Sequence, residues 1–182
     1  MLILLGLSLG ITFGTVAQAE LDLEACIGAW LFDEGKGNKA EDASGKDNHG
    51  KIDGAKWVKG KFGQALDFNG KGDFVEIPDS DSLTKDIEEI TILAWAHMTR
   101  GVTQGTWNAL VGKNPYPSGY LMWIEVPNQP CGLVFSPARH DDRANFQMDL
   151  KKWYHLGFTR AKKGDMKFYI DGKLITEAKS GA

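Results

Sequence analysis

Ile90-Thr91-Ile92-Leu93-Ala94-Trp95-Ala96 is the stretch whose reading decides the fold. In an extended chain Ile90, Ile92, Ala94 and Ala96 fall on one face and Thr91, Leu93 and Trp95 on the other, the period-two pattern of a strand. With apolar residues on both faces, it reads as a strand covered on both sides. Tyr120 to Val126 (YLMWIEV), Gly132 to Ser136 (GLVFS), Trp153 to Thr159 (WYHLGFT) and Met166 to Ile170 (MKFYI) repeat the habit. Between these runs lie Pro-, Gly- and Asn-rich breaks: 114–119 (NPYPSG), 127–130 (PNQP) and 162–165 (KKGD). Asp171-Gly172 directly follows a strand-like run and predicts a tight primed hairpin, since both residues tolerate positive φ.

No stretch after residue 20 carries a helical stripe of apolar residues. The first third has shorter apolar islands, Ile27 to Phe32, Ala65 to Phe68 and Phe74 to Ile77, separated by Gly, Asp, Asn and Lys. Short strands at such intervals predict one antiparallel β-sandwich, an all-β fold. Composition agrees: 42% of the 182 residues are hydrophobic and 25% charged, which excludes a disordered chain. Lys and Arg total 21 against 24 Asp and Glu, so no excess positive charge is available to hold a nucleic acid.

Residues 1–19 (MLILLGLSLGITFGTVAQA) are uncharged and end in Ala17-Gln18-Ala19, the small-x-small pattern of a signal peptidase site. We read an export signal cleaved before Glu20, which places the mature chain in a secreted, cell-surface or periplasmic space with no further membrane span. As an anchor the stretch is barely long enough and is diluted by Gly, Ser and Thr. Cys26 and Cys131 then meet an oxidising environment, where a single disulfide and two separately buried thiols are both open readings.

Several runs in order carry a family resemblance. They are Ala29-Trp30-Leu31-Phe32-Asp33-Glu34-Gly35-Lys36-Gly37, then 42–50 (DASGKDNHG), 60–70 (GKFGQALDFNG), 73–78 (DFVEIP), Thr91-Ile92-Leu93-Ala94-Trp95, Trp153-Tyr154-His155-Leu156 and Tyr169-Ile170-Asp171-Gly172. The chain resembles the laminin-G-like, concanavalin A-like jelly-roll domains. The resemblance spans about residues 27–175 and implies one such domain over residues 20–182. It also implies closing strands beyond the Tyr-Ile-Asp-Gly hairpin, so a chain ending at Ala182 is expected to be truncated and to belong to a larger protein. Trp30, Trp95 and Trp153, set in apolar strand patterns, are expected in the core.

Catalytic signals are weak. Glu20-Leu21-Asp22-Leu23-Glu24 has the E-x-D-x-E spacing of retaining β-glucanases of this fold, and strand alternation would align its carboxylates. It precedes the first family strand, however, and reads as an acidic N-terminus. His49, His97, His140 and His155 show no paired ligand spacing, and there is no Gly-x-Ser-x-Gly elbow. Related domains bind Ca²⁺ at a rim; the hard donors for it here are Asp141 and Asp142, with Asn145 and Asp149 in what reads as an interstrand loop, and Asp42, Asp47 and Asn48 in the early loop. Trp107, Asn108, Asn114, Tyr116, Tyr120 and Trp123 are the candidate ligand-binding residues, since sugars stack on aromatic rings beside amide and carboxylate groups. The resemblance implies a non-catalytic, lectin-like module that binds carbohydrate, with Ca²⁺ as a candidate cofactor. Adhesion to an extracellular protein is the alternative, and glycoside hydrolysis the third reading.

Overall fold

The alternation at residues 90–96 does form a strand. In the computed structural model, which describes residues 22–84, 89–103, 108–113, 119–125, 127–135, 139–162 and 164–179, β6 spans Ile90–His97 and β11 spans Trp153–Arg160. The two run antiparallel over their full length. β11 pairs next with β12 (Met166–Ile170) and β12 with β13 (Lys173–Ala178), giving a four-stranded sheet in the order β13-β12-β11-β6. The second four-stranded sheet orders β10-β9-β8-β7, from β7 (Asn108–Lys113), β8 (Gly119–Glu125), β9 (Gln129–Phe135) and β10 (Arg139–Arg143). Its ladders are antiparallel too. At the predicted hairpin Asp171 and Gly172 take φ of 50° and 78°, the positive values a two-residue primed turn needs.

One face of each sheet supplies the core. Ile90, Ile92 and Ala96 of β6, Tyr154, Leu156 and Phe158 of β11, and Met166, Phe168 and Ile170 of β12 cluster with Tyr120, Met122 and Ile124 of β8. Ala144 and Met148, in the segment after β10, belong to the same cluster. Burying each large side chain of this set is worth about 1.5–3 kcal/mol, which is why alternate residues of every central strand are apolar.

The first third forms smaller units. β1 (Lys39–Ala40), β2 (Gly50–Asp53) and β5 (Phe74–Glu76) make a three-stranded sheet, and β3 (Lys56–Lys59) with β4 (Gln64–Asp67) a hairpin. A four-residue helix, α1, covers Asp81–Thr84. Hydrogen bonds rather than a large core tie this region together. The buried carboxylate of Asp42 accepts from the backbone N–H groups of Ala29 (2.9 Å), Ser44 (2.9 Å) and Asn48 (3.0 Å) and from Ser44 Oγ (2.8 Å). Asn48 in turn donates through Nδ2 to Ile27 O and Ser82 Oγ, both at 2.8 Å, and accepts from Ser80 Oγ at 2.6 Å. Desolvation would raise the Asp42 carboxyl, but the bonds from Ala29, Ser44 and Asn48 outweigh it and hold the pKa below the ordinary aspartate value.

Four expectations are corrected. The strand at 90–96 is covered on one side only, because Leu93 and Trp95 on its outer face are exposed. For the same reason Trp95 is not a core residue. Trp30 and Trp153 are half-buried, Trp30 donating from Nε1 to Asn48 O at 2.8 Å. Asp141 and Asp142 lie within β10, opposite Leu133 and Gly132, and not in a loop, because the strand extends to Arg143. Finally, Cys26 is a free thiol whose Sγ lies 3.5 Å from Asp22 O, so the bridged reading of Cys26 and Cys131 does not hold here. Cys26 caps a 3-10 turn at Leu23–Ala25, outside the sheet in which the backbone of Cys131 pairs with Trp123 and Arg143.

Candidate functional site

The residues of β6 and β11 that turn away from the core build an exposed face. They are Thr91, Leu93, Trp95 and His97 on β6, and Trp153, His155, Gly157 and Thr159 on β11. Leu93 is 49% and Trp95 43% exposed, so water or a ligand reaches them. Register sets Trp95 opposite His155, and the two rings stack with centroids 5.0 Å apart and planes 30° from parallel. One row on, His97 and Trp153 lie 5.1 Å apart at 36°. The tip between β3 and β4 adds Phe62, edge-on to Trp95 at 5.4 Å and 78°. It also adds the Lys61 ammonium, 4.7 Å from the Trp95 ring centre, within cation–π range.

Towards the other end of β6 the face becomes polar. Gly157 sits between Leu93 and Tyr169, where a Cβ would come within 3.3 Å of side-chain atoms of both. Glycine therefore lowers the floor between two larger side chains. Beyond it an open groove of about 460 Å³ is lined among others by Thr91, Thr159, Asp165, Lys167, Tyr169 and Glu177. Lys167 Nζ lies 3.5 Å from Glu177 Oε1 across β12 and β13. From Thr91 to His97 the face runs roughly 20 Å, six residues at about 3.3 Å each. It offers a ring surface at one end and hydrogen-bonding groups at the other.

The residues singled out in the sequence are dispersed. Tyr120 belongs to the core at 8% exposure, and burial pushes its phenol pKa up. Trp123 takes the opposite face of β8 and is 4% exposed. Neither offers a free ring. Asn108 is exposed at the start of β7, opposite Ile124. Trp107, Asn114 and Tyr116 lie outside the described residues, as does Glu20. Near Trp123 on β8, Glu125 receives both Nε (2.9 Å) and Nη2 (3.1 Å) of Arg143 in a two-pronged ion pair.

The acidic groups are likewise not gathered. Asp22 Oδ1 accepts from Glu24 N at 3.0 Å in a 3-10 turn, so the strand alternation that would align these carboxylates is absent. Asp42 is surrounded by donors, which is the environment of a structural carboxylate and opposes a cation. Asp149 Oδ2 accepts from the Tyr154 hydroxyl at 3.0 Å, while the Asn145 backbone N–H donates to Thr176 Oγ1 at 2.7 Å. Among the described residues no three His, Cys, Asp or Glu side chains come together as a metal site. Reading Trp95 as a core residue hides this exposed face. The signal for it was present: Leu93 and Trp95 alternate with the core set of the same strand.

The sequence profile of the concanavalin A-like lectin/glucanases superfamily matches residues 69–182. No curated protein sequence matches significantly. Among solved structures, the binding domain of Paraclostridial Mosquitocidal Protein 1 is similar with a TM-score of 0.66 at 15% identity over 86% of this chain. This chain spans only 41% of that one. Domain 4 of AbnA, a GH43 extracellular arabinanase from Geobacillus stearothermophilus solved with arabinotriose, has a TM-score of 0.59 at 18% identity, covering 78% of this chain and 70% of its own. An S-layer domain-containing protein from Clostridium thermocellum has a TM-score of 0.51 at 19% identity, with 83% and 71% covered. These likenesses concern the fold.

Proposed function

The chain belongs to the concanavalin A-like lectin/glucanases superfamily, and from that premise we propose that it is a non-catalytic extracellular module that binds carbohydrate on the outer face of β6 and β11. The observation that carries this reading is the half-exposed Trp95 ring, backed by His155 and flanked by Lys61 on a flat sheet surface. An indole offers the apolar C–H face of a sugar ring a large, rigid contact at low entropic cost. Thr159, Tyr169, Lys167 and Asp165 in the adjoining groove supply the hydrogen bonds that orient hydroxyl groups. Such a module acts at the cell surface or in secretion as one part of a larger protein.

A glycan array followed by calorimetry on the best hit tests the proposal. Binding should be competed by the free sugar and fall at least tenfold, about 1.4 kcal/mol, in Trp95→Ala with folding intact. Silence on the array together with capture of a defined extracellular protein would move the assignment to adhesion. Ca²⁺ enters the proposal as a candidate cofactor through the family resemblance alone, since consecutive strand positions such as 141 and 142 fall on opposite faces and do not make a ligand pair. Repeating the titration in excess chelator decides whether the metal belongs to the proposal: lost binding keeps it and unchanged binding removes it.

A further inference from the structure

The turn between β4 and β5 reads Asn69-Gly70-Lys71-Gly72-Asp73, and residues 69–72 are exposed. No other asparagine of the chain precedes a glycine. Asp73 accepts from the Asn69 backbone N–H through Oδ2 at 2.7 Å and from Asn69 Nδ2 through Oδ1 at 2.8 Å. Asn69 Oδ1 in turn accepts from the Lys71 N–H at 2.5 Å, which makes an Asx turn. The amide is thus fixed with its oxygen facing a donor and its nitrogen facing a carboxylate. The Asp73 carboxylate is itself seated against Gly54, where a Cβ has no room beside Oδ1. An Asx turn folds the side chain back over the next peptide unit, which brings Asn69 Cγ beside the Gly70 nitrogen. Gly70 has φ of 70°, and a Cβ there would lie 2.7 Å from Arg100 Nη2, which donates to Asn69 O. The nitrogen beside Cγ therefore carries no side chain that could obstruct it.

We propose that Asn69 and Gly70 form a self-modifying site, in which the Gly70 backbone nitrogen attacks Asn69 Cγ and converts residue 69 to aspartate or isoaspartate. The inference is independent of any carbohydrate ligand. As the bond from Gly70 N to Cγ forms, negative charge develops on Oδ1. The Lys71 N–H already points at that oxygen, as an oxyanion donor does. The Cγ–Nδ2 bond then breaks. Asp73 takes the proton from the attacking nitrogen and hands it to Nδ2, to which it is already bonded, and the nitrogen leaves as ammonia. Water opens the resulting five-membered imide at one of its two carbonyls, giving aspartate or isoaspartate. The turn holds the reacting atoms together, so the folded chain is spared the search that an unfolded chain must make. The product sets a carboxylate where Nδ2 had donated to Asp73, and two like charges then face each other. The modification makes the chain one unit more negative and removes one of the two bonds by which Asp73 closes the turn ahead of β5.

The full chain incubated at neutral pH, folded and in urea, provides the test. Peptide mapping by mass spectrometry reads the mass gain of amide-to-acid conversion at residue 69, and an isoaspartyl methyltransferase assay reads the isoaspartate. The folded chain should convert at least about threefold faster than the unfolded one. Asn48 and Asn128, whose side chains are also hydrogen-bonded but precede His49 and Gln129, should stay unmodified over the same period. Asp73→Asn keeps the size of the side chain and supplies no base, so its folded rate should drop to the unfolded one, with circular dichroism checking that it folds. The comparison of folded and unfolded parent needs no variant and stands whether or not that one folds. A parent that converts no faster folded than in urea would mean that the hydrogen bonds protect the amide, and would overturn the proposal. An undiminished rate in folded Asp73→Asn would do the same. So would cleavage of the chain after Asn69, the result of Nδ2 attacking its own backbone carbonyl.

Discussion

Trp95 and His155 stand opposite each other across the β6–β11 ladder and stack at 5.0 Å with planes 30° from parallel. The contact lies on the solvent side, so it is held by ring–ring attraction and local apolar contact rather than by the core. A double-mutant cycle of Trp95→Ala and His155→Ala, read by chemical denaturation, should give a coupling energy of about 0.5–1.5 kcal/mol. A coupling indistinguishable from zero would mean that the two rings are neighbours without mutual support.

The hairpin joining β12 to β13 makes a separable backbone prediction. Gly172 has φ of 78°, and a Cβ there would have nothing within 4 Å, so any penalty for a side chain comes from the left-handed conformation alone. Gly172→Ala should destabilise the domain by about 1–2 kcal/mol. Gly172→Asn should cost clearly less, because asparagine tolerates that conformation. Equal costs for the two, measured in one denaturant series, would contradict a conformational origin.

How legible all this is in the sequence depends on whether the signal is local. Met166–Ile170 and the turn at Asp171-Gly172 are read correctly from alternation and turn chemistry, because both are set within a few residues. β7 and β10 escape notice, since Asn108–Lys113 and Arg139–Arg143 lack a clear apolar alternation and, among the described residues, each pairs with one strand only. Trp95 is misassigned for a different reason. Alternation shows which residues share a face but not whether that face is covered, and coverage depends on distant elements such as the Phe62 tip. The role of Asp42 is likewise non-local, for its donors come from Ala29, Ser44 and Asn48.

The centre of the core should be far less tolerant than the outer face. Phe158 is fully buried on β11, with its ring 5.1 Å from that of Phe168. Phe158→Ala should cost about 3–5 kcal/mol, combining lost transfer energy with a cavity that two facing sheets cannot easily close. Leu93→Ala on the exposed face of the neighbouring strand should change stability by less than about 1 kcal/mol. Comparable losses at both positions would show that the outer face is packed after all.

Asp42 gives the fold a pH signature. Its pKa is lowered on folding, so the unfolded chain binds this proton more readily than the native one. The stabilisation is therefore fully present above the ordinary value of 3.8 and is lost as pH falls through the lower native value. Asp42→Asn keeps the shape but removes the charge and turns an amide group toward N–H donors, which should cost on the order of 3 kcal/mol at pH 7. The gap between parent and variant should stay constant down to about pH 4 and narrow below it, as the parent carboxylate becomes protonated. Glu41 and Asp79, whose pKa values are also lowered, titrate in the same region but are present in both proteins and largely cancel in the difference. Denaturation curves at a series of pH values between 7 and the acid limit of folding provide the measurement. A gap that stays constant through the acid range would show that the donors around Asp42 stabilise the side chain whether or not it is ionised.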